Sequence, residues 1–239
     1  MKKHTSILIA TLLATTTTNA AVNTITAIET TPTATNPQLA SSTLLSFTSG
    51  GVTYTSFTQA TLDPAVSGER FWATDGTDPG SDITALTDLD VVSGVLNSPD
   101  TRRFDFTSVT ADDVFFSLAL YGDQPGSVLA VNAAGSIITE LLAIPNLDST
   151  GNLFEATVER ESGATDLIGR HIRGFSFTMD SLTFTGGNTI GDIAGFRFSS
   201  GNLYDATMVG IAHAIPEPGS YALLFGTITL GGALVRRRR

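Results

Sequence analysis

The run DVFFSLALY at residues 113–121 is the most apolar strand-like stretch in the body of the chain. Nine residues rich in aromatic and branched side chains suit a strand better than a helix, and so apolar a strand belongs at the centre of a sheet. On either side of it lie shorter runs that alternate as strands do. Residues 103–107 read RFDFT, and residues 51–57 set Val52, Tyr54 and Ser56 against Thr53, Thr55 and Phe57. Residues 83–92, 153–160, 173–179, 181–184, 193–199 and 206–212 complete the candidate strands. Residues 127–132 and 136–142 flank Ala133-Ala134-Gly135, a short Gly-containing loop that predicts a hairpin. Turns are expected at 62–68, at 75–82 and at Asn97-Ser98-Pro99-Asp100. Residues 22–50, rich in Thr, Ala and Ser with Pro32 and Pro37, read as an extended lead-in or a first edge strand.

Strands at fairly regular spacing, 23 glycines and no long helical periodicity predict an all-β body, a β-sandwich or jelly roll. No internal repeat points to a propeller or solenoid. The expected organisation is a signal peptide at 1–20, one body at 21–214 and a separate C-terminal segment at 215–239. A body of that length buries its own core without staples. The chain has no cysteine, which excludes thiol catalysis, disulfides and Cys-based zinc sites.

Met1-Lys2-Lys3-His4 is a basic start, residues 6–14 (SILIATLLA) are a short apolar core, and a polar small-residue stretch leads to Ala20. This is the pattern of an exported protein's signal peptide. Thr18 and Ala20 hold the small-residue positions before a cut, so signal peptidase is expected to cleave after Ala20, with Ala21 the second choice. A retained N-terminal anchor is the alternative. At the other end, residues 220–235 (SYALLFGTITLGGALV) carry no charge. As a helix these span roughly 24 Å, somewhat less than the hydrocarbon core of about 30 Å, a shortfall that snorkelling side chains or local thinning absorbs. Arg236, Arg237, Arg238 and Arg239 follow and should stay in the cytoplasm, leaving the body on the far side of the membrane. Just before the apolar run, Pro216 and Pro218 hold Ile215 and Glu217 extended, so that one carboxylate is presented between two rigid rings. Such a peptide is easily laid along a processing enzyme's cleft.

Pro216-Glu217-Pro218, a short apolar helix and a terminal arginine cluster, in that order, resemble the PEP-CTERM sorting domain, with Ile215 where Val is usual. The resemblance covers about residues 214–239. It implies a Gram-negative protein crossing the inner membrane, held there by the C-terminal helix and recognised by an exosortase, an integral-membrane enzyme resembling cysteine protease-transpeptidases. Cleavage is implied at or near the Pro-Glu-Pro motif, with the product at the cell surface or outside the cell. It further implies association with exopolysaccharide and biofilm. The alternative is a plain single-pass tail anchor. The body is similar only in general character to the lectin-like sandwiches that precede such tails.

With two lysines in the front end, and four arginines and Glu217 in the tail, seven arginines face 22 acidic residues in the rest, a net charge of about −15. So acidic a body argues against nucleic-acid binding and repels acidic polysaccharide unless a divalent cation bridges them. No catalytic set is evident. His171 stands between Arg170 and Arg173 and suits a surface or strand-edge structural role, while His213 falls in the stalk three residues before Pro216. There is no Gly-x-Ser-x-Gly elbow. Phe71 and Trp72 either fill the core or stack on a sugar ring. Glu69 beside them is the carboxylate that a carbohydrate-active enzyme would use there. Asp75, Asp78 and Asp82 share a Gly/Pro loop, where carboxylates suit calcium as a cofactor, although the spacing is not that of an EF-hand and turn capping explains them equally. Asp112-Asp113 read as a turn or an edge charge. The leading expectation is a non-catalytic surface or matrix protein. A calcium-dependent carbohydrate-binding module and a carboxylate-based enzyme are the alternatives.

Overall fold

The computed structural model describes residues 22–31, 43–62, 70–74, 93–98, 103–119, 126–144, 147, 152–160, 167–199 and 204–213. In chain order the strands are β1 (Asn23–Thr31), β2 (Thr43–Ser49), β3 (Val52–Tyr54), β4 (Phe57–Gln59), β5 (Thr61–Leu62), β6 (Arg70–Thr74), β7 (Ser93–Ser98) and β8 (Arg103–Asp105). They continue with β9 (Asp113–Ala119), β10 (Ser127–Val131), β11 (Leu142–Ala143), β12 (Phe154–Arg160), β13 (Leu167–Thr178), β14 (Gly195–Ser199) and β15 (Tyr204–His213). Two 3-10 turns, Met179–Ser181 and Ile190–Asp192, are the helical pieces among the described residues. Every strand pairing is antiparallel, so the all-β expectation holds. Among the described residues no helix is long and apolar enough to cross a membrane. The two expected terminal helices, within 1–20 and 215–239, lie outside the described residues.

The larger sheet runs β12-β6-β7-β15-β9-β13-β1-β2-β3, with β4 on the far half of β15. Strands β12 and β13 also pair, so six strands, β12-β6-β7-β15-β9-β13, close hydrogen-bonded on themselves. Closure is possible because β13 is long. Its first half pairs with β12, whereas Phe175 and Ser176 face β1 on the same edge. The smaller sheet runs β11-β10-β14-β8-β5.

Strand β9 sits between β13 and β15 and is buried at all seven positions. Alternation then divides its side chains between two cores. Phe115 and Ala119 join one core with Phe175 and Phe177 of β13, Val209 and Ile211 of β15, and the inner face of the smaller sheet. That inner face supplies Phe104 and Phe106 around β8, Val128 and Ala130 of β10, and Phe196 and Phe198 of β14. Three Phe-x-Phe pairs thus meet: Phe115 lies 4.7 Å from Phe196 and 4.8 Å from Phe177, and Phe104 lies 5.3 Å from Phe198. Val114, Phe116 and Leu118 enter the other core with Ile25, Leu44 and Phe47, over which β1 and β2 fold. Tyr54 stacks on Phe47 at 4.9 Å, and burial pushes its phenol above the ordinary value.

Several expectations change in the structure. Within the stretch 22–50, the described residues 22–31 and 43–50 are not a lead-in or an edge. They supply β1 and β2, and β1 lies inside the sheet because Ile25 has a core to fill. The single strand expected at 51–57 is two short ones broken at Thr55-Ser56. Residues 181–184 are a 3-10 turn followed by one bridge, Thr139 to Phe184. Strand β7 occupies 93–98, where a turn was expected to begin at Asn97. The hairpin at Ala133-Ala134-Gly135 holds, with Val131 bridging Ile137 and Gly135 at φ 78°. Residues 83–92 lie outside the described residues, as do 75–82.

Gly210 on β15 marks the tightest approach in the second core. A Cβ there would lie 2.5 Å from Phe116 Cε1 and 2.9 Å from the Thr58 carbonyl oxygen. Gly210→Ala, usually favourable in a strand, is therefore expected to destabilise by about 1–3 kcal/mol through overpacking. Gly191→Ala, whose nearest neighbour would be 3.7 Å away, should stay within about 0.5 kcal/mol of the parent. Urea unfolding of the full chain in detergent measures both.

Candidate functional site

A carboxylate, an imidazole and a hydroxyl converge where β15 ends and β9 begins. The antiparallel register sets His213, the last residue of β15, beside Asp113, the first of β9. Before β9 the chain turns at Thr110-Ala111-Asp112-Asp113. The Asp113 amide donates to the Thr110 carbonyl at 3.2 Å, and the Thr110 amide donates back to Asp113 Oδ2 at 2.7 Å. This holds the carboxylate in place with 4% of its side chain exposed, and leaves Oδ1 to accept from His213 Nδ1–H at 2.7 Å. With Nδ1 committed to the carboxylate, the other ring nitrogen, Nε2, faces Thr58 Oγ1 of β4 at 3.4 Å. The His213 backbone amide donates to the Ser56 carbonyl at 3.0 Å. His213 is thus fixed by its main chain and by both ring nitrogens. The expectation that it stands in a stalk is corrected: it is the closing residue of a central strand.

Carboxylate, imidazole and hydroxyl in series form the minimum for moving a proton from a hydroxyl. The surroundings point to another use. Thr58 Oγ1 lies near the outer limit of a hydrogen bond. The backbone around it is committed to β15, with Ala60 N–H donating to the Val209 carbonyl and Thr58 opposite Ile211. The arrangement is a clamp. It ties β15 to β9 and β4 at the last described residue of β15.

The other expected positions are distributed as follows. Phe71 and Trp72 lie on β6, opposite Arg160 and Glu159 of β12 on one edge and Gly94 and Ser93 of β7 on the other. They are backbone members of the closed ring. His171 is on β13 opposite Glu155 and is half-buried. Asp112 is in the turn as expected, whereas Asp113 is buried and paired. Glu69, the aspartates Asp75, Asp78 and Asp82, the cleavage positions Ala20 and Ala21, the motif Pro216, Glu217 and Pro218, and the arginines Arg236, Arg237, Arg238 and Arg239 lie outside the described residues. Among the described residues no three His, Asp or Glu side chains gather as a metal site. No family model matches the chain, and neither a curated protein nor a solved structure matches it.

Removing the imidazole leaves a buried carboxylate short of one partner. His213→Ala is expected to cost about 1–3 kcal/mol in urea unfolding, the range for a lost hydrogen bond to a charged group. Thr58→Val, which loses only the longer contact, should cost less than half as much.

Proposed function

We propose that this protein is an exported surface or extracellular-matrix component, without catalytic activity, in which a β-sandwich or jelly-roll body is delivered by a signal peptide and sorted by an exosortase through Pro216-Glu217-Pro218. On this reading signal peptidase cuts after Ala20. The apolar helix and the four terminal arginines hold the chain in the inner membrane of a Gram-negative cell until processing, and the product joins the cell surface or an exopolysaccharide matrix.

The observation that carries this reading is where the last strand stops. β15 is an interior strand, flanked by β9 on one edge and by β7 and β4 on the other, and it ends at the clamped His213. Pro216 is three residues further on. Every described strand and every described core residue therefore lies before the motif. A cut at Glu217 removes none of them, which is what a processed sorting tail requires. A strand shared with the tail would have coupled cleavage to unfolding.

The test is the mature C-terminus. The full chain is expressed in an exosortase-bearing host and its mass measured intact. Loss of the tail near Glu217, abolished when Pro216, Glu217 and Pro218 are changed to alanine, is the expected result. A full-length tail in the membrane fraction of the unchanged protein would reduce the segment to a single-pass anchor.

A further inference from the structure

The first strand starts close behind the expected signal-peptide cut. With cleavage after Ala20, only Ala21 and Val22 separate the new end from β1, which begins at Asn23. With the second-choice cut after Ala21, Val22 alone does. Val22 is half-buried and packs against the core under the smaller sheet, and Ile25 is fully buried in the other core. β1 is also held along both edges. Asn23 and Thr24 face Ser176 and Phe175 of β13, and Ile25 to Thr31 face β2. The Thr24 carbonyl accepts from Ser49 Oγ at 3.1 Å, and Ser49 Oγ accepts from Ser176 Oγ at 2.8 Å. The body therefore grips the chain from the second residue after the cut.

The register also fixes where the two ends of the body come out. Asn23, Ser176, Phe116 and Gly210 lie in one row across β1, β13, β9 and β15. Beyond that row β15 runs three residues to His213. The chain before β1 leaves on the same side, because β1 and β15 run in opposite directions. Three strand spacings separate the two exits, about 14 Å. Seven residues lead from His213 to Ser220, a reach of at most about 25 Å, and nine lead from Ala14 to Asn23, at most about 32 Å. A closed body can thus stand on one bilayer with both expected terminal segments in it.

We infer that insertion of β1 is a switch that ends signal-peptide cleavage: the cut can be made only while β1 is outside the sheet. A chain whose body closes first keeps its N-terminal segment as an anchor and stays on the membrane by both ends. Timing, not sequence, then decides between cleavage and a retained anchor, on the reading that residues 1–20 are a signal peptide. The cut is a hydrolysis of the Ala20–Ala21 amide, in which water gives a hydroxyl to the carbonyl carbon and a proton to the departing nitrogen. To hold that bond, a peptidase lays the residues on both sides of it extended along its cleft. Val22, Asn23 and Thr24 are free for this only when they leave the core, β13 and Ser49. The expected tail cut differs, since Glu217 lies four residues beyond His213, whose side chain is 47% exposed.

The test gives purified signal peptidase to the full chain in detergent and reads the product by intact mass. Hydrogen exchange at residues 24–30 establishes that β1 is in place in each folded sample. The folded unchanged chain should be cut about a hundredfold more slowly than a folded chain carrying a flexible Gly-Ser spacer of about ten residues between Ala21 and Val22, because cleavage must otherwise wait for β1 to open. The unchanged chain added straight from urea should be cut as fast as the spacer chain until it folds. Ile25→Ala, which loosens β1, should give a folded chain cut at an intermediate rate. Equal rates for the folded unchanged chain and the folded spacer chain overturn the inference. If neither the spacer chain nor the chain from urea is cut after Ala20 or Ala21, the signal-peptide reading itself falls, and the switch with it.

Discussion

The structure depends on one strand with two buried faces. Phe115 and Phe116 are neighbours in the chain, so they must point to opposite sides of β9, and each needs its own layer of apolar partners. The smaller sheet covers Phe115, while β1, β2 and the ring of Phe57 cover Phe116. Fully burying a phenylalanine contributes about 1.5–3 kcal/mol, and nine large side chains, eight of them Phe, are fully buried among the described residues. The aromatic layer therefore outweighs any single polar contact in holding the sheets together. Buried serines fit the same plan, with Ser176 Oγ donating to Ser49 Oγ at 2.8 Å and Ser49 Oγ donating to the Thr24 carbonyl at 3.1 Å. A buried hydroxyl that finds a protein partner avoids the cost of leaving it unsatisfied.

Much of this was legible in the sequence because alternation and turn chemistry are local. The apolar run at 113–121 announced a central strand, and Ala133-Ala134-Gly135 announced a hairpin. What escaped was set by distant residues. β1 looks polar, NTITAIETT, yet Ile25 is buried because Phe47 and Phe116 wait for it. The parity of β15 also misleads. Ala206 and Val209, three apart, share one core, which strict alternation forbids, and a register shift against β9 between them restores. Thr207, inside that irregularity, is buried with its hydroxyl unpartnered.

The polar sites were the least legible part. Asp113 and His213 are a hundred residues apart, and nothing in either neighbourhood names the other; only the register of β9 and β15 joins them. The proposed sorting motif, by contrast, rests on the sequence alone: prolines, an apolar run and terminal arginines are signals read from neighbouring residues. The described body is organised by long-range packing as far as His213, and the proposal sets the segment at 215–239 apart from it.

Native-state hydrogen exchange on the full chain in detergent tests this division most directly. If β9, β13 and β15 form the core and β15 is locked to its end by the clamp, the amides of 114–118, 173–178 and 209–213 should exchange last and together, only through global unfolding. Exchange of 209–213 by local opening, well before 114–118, would contradict the account, because the last strand would then belong to the tail rather than to the body.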